Sequence, residues 1–250
     1  MDRLLEATAR AERTHFWFRG FRRFVTPLLE TAAGGRTGLR ILDCGCGTGN
    51  NLRMLRPYGR AAGIDITFSG LAYAHRHGDR LIARASATSL PFSAESFDLV
   101  TSFDVIYAFD DKTAAAALLE MRRVLVPGGH LVLNVAALPS LRGNHSMLGG
   151  EVQRYTRAGL RKHLERAGYT IRRLTYTNAS ILPLVAGVRF AQRLGGHHVS
   201  HSEISVPPAP INLALSGVLA VEAAMLRAVD MPLGSSLLAL ARKPSVGPSD

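Results

Sequence analysis

The chain has 250 residues, 47% hydrophobic and 20% charged, which suits one α/β domain with embellishments that is ordered over most of its length. Its formal charge of +11 is carried almost wholly by arginine, but the arginines are scattered, with no basic run and no aromatic-interleaved stretch like that of an RNA-recognition sheet. The opening segment is charged rather than basic-then-apolar, which argues against a secretory leader, and Cys44 and Cys46 are too close for an ordinary disulfide, so a reducing cytoplasm is the expected setting.

Residues 2–33 read as a helical cap. Leu4, Ala7 and Ala11, then Phe16-Trp17-Phe18, Phe21, Phe24, Val25 and Leu28, recur at helical spacing until Gly34-Gly35 stops them. Short apolar runs predict strands at 39–43, 61–65, 81–84, 97–102 and 130–136, with helices around 50–57, 68–78 and 112–126. A helix at 156–168 and strands at 170–178 and 235–242 complete the series. Strands alternating with helices imply right-handed crossovers and a mostly parallel sheet covered on both faces. An insertion at 180–232 holds an apolar helix from about Pro183, a polar loop and a second apolar helix at 211–229. On that second helix Asn212, Ser216, Glu222 and Arg227 fall within roughly 140° of the wheel, leaving a wide apolar face. Three roles fit such a face: a lid over a hydrophobic substrate, a homodimer interface, or a peripheral membrane contact.

The segment Ile41-Leu42-Asp43-Cys44-Gly45-Cys46-Gly47-Thr48-Gly49-Asn50 is a strand, a glycine turn and a helix start. Glycines permit positive φ and close approach to a ligand, and the helix start favours an anionic group. Asp65, at the end of the next strand, suits a bidentate grip on ribose hydroxyls, as an acid there also would in a nicotinamide enzyme. Three further signatures discriminate: Leu90-Pro91-Phe92, then Ser96-Phe97-Asp98-Leu99-Val100 with Ser102-Phe103-Asp104-Val105, then Val126-Pro127-Gly128-Gly129-His130-Leu131-Val132-Leu133. In this order and spacing the set resembles the class I S-adenosylmethionine-dependent methyltransferases, particularly their small-molecule, UbiE-like branch. The likeness covers about 39–178 and extends to the last strand.

The resemblance implies a Rossmann-like α/β sheet, mostly parallel with the last strand antiparallel. One domain is expected: an N-terminal cap (1–33), a core (39–178 and 233–243) and the helical insertion (180–232). It implies S-adenosyl-L-methionine as cofactor, with Asp43 and Gly45, Cys46, Gly47 to Gly49 holding the methionine part. Asp65 would take the ribose and Ile66 would pack on adenine. Ser86-Ala87 would face the adenine amine, Ser86 standing where the family has an acid. Phe103 and Asp104 would border the transferring methyl. Trp17 would form an aromatic wall beside the sulfonium and Arg19 would pair with the cofactor carboxylate; the alternative is an amphipathic helix packing its aromatics into the core. Ile106-Tyr107-Ala108 replaces the family's Leu-Glu-His, so a general base must come from elsewhere: Tyr107, His145 and His15 are the candidates. Arg154-Tyr155 matches the end of a family motif that Glu151 and Gln153 leave.

No metal site is expected: Cys44 and Cys46 lack a second pair, and His197, His198, His201 with Glu203 read as a polar loop cluster. The expected function is methyl transfer to a small, hydrophobic metabolite. A methyltransferase fold that binds the cofactor without transfer is the alternative, and an RNA methyltransferase the third reading. The absence of an Asn/Asp-Pro-Pro-Tyr motif argues against nucleic acid as a partner.

Overall fold

The structure, a computed structural model, describes residues 9, 11–141, 150–187 and 206–245. Seven strands share one sheet: β1 (Leu39–Cys44), β2 (Gly59–Asp65), β3 (Ile82–Arg84), β4 (Phe97–Phe103), β5 (Leu125–Ala136), β6 (Thr170–Thr177) and β7 (Ser236–Arg242). Their spatial order is β3-β2-β1-β4-β5-β7-β6. The first five strands pair in parallel, and β7 runs antiparallel to both its neighbours. The chain order reverses at β1, and the crevice beyond the carboxyl ends of β1 and β4 is where such a sheet admits a ligand.

Among the described residues, helices α1 (Phe16–Ala33), α2 (Asn50–Leu55), α3 (Phe68–Arg76), α4 (Asp111–Val124), α5 (Arg157–Arg166) and α6 (Ala209–Met225) flank the sheet. Side-chain caps fix the starts of α4 and α5, the Thr113 amide donating to Asp110 at 2.7 Å and the Gly159 amide donating to Thr156 at 3.0 Å. Successive strand residues bury on opposite faces. Leu42, Val100 and Leu131 pack with Leu118 and Met121 of α4 and Leu164 of α5, while Ile41, Leu99 and Val132 pack with Leu29 of α1 and Leu219 of α6. Both faces are covered, which is why these strands read as continuous apolar runs.

Several boundaries shift by a few residues from the sequence reading, and two shifts have a specific cause. The 112–126 helix ends at Val124, because Leu125 already pairs with Phe97; Pro127–Gly129 then form a bulge, after which His130 pairs with Leu99. The N-terminal helix breaks at His15, whose extended backbone lets its Nδ1 accept from the Trp17 amide at 3.1 Å and cap α1.

The insertion holds the largest departure. The polar arc of α6 turns inward. Asn212 accepts from the Phe16 amide at 2.8 Å and donates to the Thr14 carbonyl at 3.0 Å, and Ser216 and Glu222 are buried. Glu222 accepts from the amides of Ala179 and Ser180, each at 2.9 Å, and from the Ser180 hydroxyl at 2.5 Å. Between them Leu219 presses onto Gly20, where a Cβ would collide with it. The outward face is apolar, exposing Ile211, Leu213, Val218, Val221 and Met225. Residues 182–187 are helical, and the remainder of the first insertion helix lies outside the described residues. No helix among the described residues is long and apolar enough to cross a membrane.

Candidate active site

Beyond the end of β1 the backbone doubles back before entering α2. The amides of Gly45 and Cys46 both donate to the Ile64 carbonyl, at 2.8 and 2.9 Å, which ties the loop to β2. Gly45 has φ +87° and a Cβ there would run into Val105, so glycine is required on both backbone and steric grounds. Gly47 has φ +50° with open space where its Cβ would be. Its amide donates to Asp65 Oδ2 at 2.8 Å, while Asp65 Oδ1 accepts from the Thr67 amide at 2.7 Å and hydroxyl at 2.5 Å. Asp65 thus fastens the loop from the neighbouring strand end.

Two cavities flank this loop, and Gly45 and Asp104 line both. The first, about 180 Å³, lies between the loop from Gly45 to Thr48 and the Trp17, Phe18, Phe21 and Arg22 side of α1, with Phe103 and Glu12 also in its wall. Phe21 meets Phe103 edge-to-face with centroids 5.1 Å apart. The second, about 200 Å³, is lined by Asp65, Ile66, Ala85, Ala87, Val105 and Phe109 among others. Ile66 is exposed at its mouth. An elongated molecule with a polar, amino-acid-like end and an apolar, planar end fits the pair, with Asp65 between the glycine loop and the apolar end. The missing Cβ atoms at Gly45 and Gly47 provide the close approach such a molecule needs. The donor set therefore suits S-adenosylmethionine.

Asp104 closes the floor between the cavities. Its φ is +56°, its amide donates to the Asn134 carbonyl at 3.0 Å, and its Oδ1 accepts from Asn134 Nδ2 at 2.9 Å. Solvent reaches it from the cleft, yet protein surrounds it. Burial pushes its carboxyl up to about 6, against the opposing effects of the Asn134 hydrogen bond and Arg154. Below it, the buried pair Arg154–Glu151 (2.8 Å) and the Arg154 bond to the Ala137 carbonyl (3.0 Å) brace the segment after β5. Tyr155 donates to the Ile106 carbonyl at 3.2 Å, and the Tyr107 carbonyl accepts from the amides of Val152 and Gln153 at 3.0 and 2.9 Å. The matched Arg154-Tyr155 pair therefore acts as scaffolding for the 104–109 turn.

The sites expected from sequence divide. Trp17, Gly45, Cys46, Gly47, Asp65, Ile66, Ala87, Phe103 and Asp104 all line the cavities. Asp43 does not: it is wholly buried beneath the loop, with Oδ1 accepting from the Thr101 hydroxyl at 2.7 Å and Oδ2 without a partner among the described residues. Burial chiefly, and Asp65 to a lesser degree, push its carboxyl up to about 7 in spite of the Thr101 bond. Ser86 is also absent from the cavity wall, its hydroxyl 2.8 Å from that of Thr88 within its own turn. Arg19 points to an adjoining groove, and Arg22 takes the place in the cavity expected for it. The helix period could not choose between them. Glu12 was missed as well; it accepts from the Thr48 hydroxyl at 2.7 Å and from Asn50 Nδ2.

Of the candidate bases, His15 is the α1 cap, stacked on Phe16 with its proton affinity lowered by burial, and lines neither cavity. Tyr107 lines neither; burial, then Asp104 and Glu151, raise its phenol, so it is held protonated. His145 lies outside the described residues, as do His197, His198, His201 and Glu203. Among the described residues no group of acids, histidines and cysteines could hold a metal. Both cysteines are buried and free, with thiols raised by burial.

Residues 42–133 match the family model of the methyltransferase domain. Over 195 residues the chain is 29% identical to the ubiquinone/menaquinone biosynthesis C-methyltransferase UbiE of Hahella chejuensis, covering 63% of this chain and 77% of that protein. Over 104 residues it is 36% identical to the human probable tRNA methyltransferase 9B, covering 41% of this chain but 22% of that one. In fold it is similar to the [4+2]-cyclase SpnF, with TM-score 0.56 and 23% identity over 89% of this chain and 81% of that one. The family match spans the stretch from β1 to β5 that builds the glycine loop and the whole lining of the second cavity, and on that ground residues 42–133 form a methyltransferase domain of the class I S-adenosylmethionine-dependent type.

Proposed function

We propose that the chain methylates a small-molecule acceptor held between α1 and the 104–109 turn. The observation that carries this reading is the aromatic wall of Trp17, Phe18, Phe21 and Phe103 over the glycine loop, a confined space that suits a compact acceptor better than a polymer. When bound, S-adenosylmethionine supplies a methyl group on a sulfonium, and displacement at that carbon needs alignment and exclusion of water. Asp65 and the Gly45–Gly47 backbone would hold the ribose and the methionine end. Ile66, Ala85 and Ala87 would pack on the adenine. Glu12 and Arg22 offer opposite charges to the ammonium and carboxylate of the amino-acid end. Trp17 and Phe21 would wall the sulfonium and exclude water. Asp104, open to the cleft and with its carboxyl raised, would orient the acceptor or take its proton.

Likeness to UbiE supports a small-molecule acceptor, and likeness to the tRNA methyltransferase supports RNA. Release of S-adenosylhomocysteine, measured against fractionated metabolites and against RNA, separates them. Turnover confined to RNA would overturn the small-molecule reading. Binding without product on either would favour the non-transferring alternative, which the retracted hydroxyl of Ser86 favours.

A further inference from the structure

Three guanidinium groups gather on the outer side of α1. Arg19, Arg22 and Arg23 stand three and four residues apart, on one face of the helix, and with Thr26 they line an open groove. Two of them are held in place. Arg22 donates to the carbonyls of Glu12 (2.8 Å) and Arg13 (3.2 Å), and Arg23 donates to that of Ser216 (3.0 Å). Carbonyls orient a guanidinium without cancelling its charge. Among the described residues no carboxylate lies within ion-pair distance of any of the three, and the acid whose charge reaches the cluster, Glu12, acts on Arg22 and leaves Arg19 and Arg23 for an anion. The fold thus keeps three like charges together that would separate in free solution, which an anion in the groove would offset. Arg22 also lines the cavity beside the glycine loop, so groove and cavity meet at one side chain.

We propose that the groove binds a phosphate group of the methyl acceptor, through Arg19 and Arg23, with the acceptor's other end directed toward the mouth of the cavity beside Arg22. The inference rests on the acceptor reading above and narrows it to a phosphate-bearing class. A phosphorylated metabolite and a phospholipid headgroup present the same chemistry here: several acceptor oxygens matched to guanidinium forks.

The single tryptophan, Trp17, lines the cavity that Arg22 shares, so its fluorescence reports occupancy. Protein saturated with S-adenosylhomocysteine would be titrated at constant ionic strength with octyl phosphate, with octanol, and with vesicles of phosphatidylglycerol or phosphatidylcholine. Saturable change with octyl phosphate and none with octanol is expected. Arg19→Ala, which removes no side-chain hydrogen bond of the described fold, should weaken that response about tenfold, the loss of one charge-assisted contact. Arg19→Ala/Arg23→Ala should weaken it further, with S-adenosylhomocysteine affinity unchanged in both. Response to phosphatidylglycerol vesicles without response to octyl phosphate would assign the phosphate to a lipid headgroup. Absence of response to both phosphate probes, or equal responses in wild type and Arg19→Ala, overturns the inference. So does tight, salt-dependent RNA binding that octyl phosphate does not displace. Failure of S-adenosylhomocysteine itself to bind would instead count against the cofactor reading, so the two failures are told apart.

Discussion

Replacing Asp65 by alanine separates two jobs that its carboxylate performs. A carboxylate offers about four lone-pair sites, and three are taken by the Gly47 amide and the Thr67 amide and hydroxyl. One ribose hydroxyl can therefore bind without displacing a protein donor, and a second requires the Thr67 hydroxyl to rotate away. The net contribution to binding is then close to one charge-assisted hydrogen bond, about 1.5–3 kcal/mol, which is about tenfold to 150-fold in affinity. Asp65→Ala should lower S-adenosylhomocysteine affinity by that factor in isothermal titration calorimetry. It should also lower the Tm, because the Gly47 amide loses its partner. A lowered Tm with affinity within about threefold of wild type, well below one such bond, would refute the ribose role and leave Asp65 as a fastener of the loop only.

Gly45→Ala should destabilise the fold by about 1–3 kcal/mol in urea unfolding, since the residue has φ +87° and the new methyl meets Val105; cofactor affinity should fall with it. Glu222→Ala should cost about 1–3 kcal/mol, because it strips the part-buried amides of Ala179 and Ser180 of their acceptor; unchanged urea stability would show that water replaces it. For Asp104 the pKa in the folded state, about 6, lies above the ordinary carboxylate value. The folded protein therefore binds more protons than the unfolded chain, and the stabilising effect of the protonated form is lost as pH rises through 6. Asp104→Asn, which tolerates the same positive φ, should match wild type in Tm near pH 4 and exceed it at pH 7. A Tm difference independent of pH would show that Asp104 is not raised.

The parts of this protein legible in its sequence are those whose physics is local. The short apolar strand runs, the glycine turn at 45–49 and the acid that ends β2 each act within a few residues, and each lies where the pattern placed it, with helix and strand ends shifted by a few positions. The order of these units, read through crossover handedness, also leads to the mostly parallel sheet with its site above β1 and β4. What only the tertiary structure decided involves partners far apart in the chain. Arg22 rather than Arg19 reaches the cavity because α1 is anchored at His15 and pressed on α6 through Gly20, and Ser86 turns from the adenine side because Thr88 offers it a nearer partner. The polar arc of α6 faces inward because Glu222 supplies an acceptor to two backbone amides 42 and 43 residues away. A helical wheel ranks side chains by their transfer from water and assigns none of them a partner. A buried carboxylate is stable only where specific donors meet it, and those donors come into place only when the chain has folded.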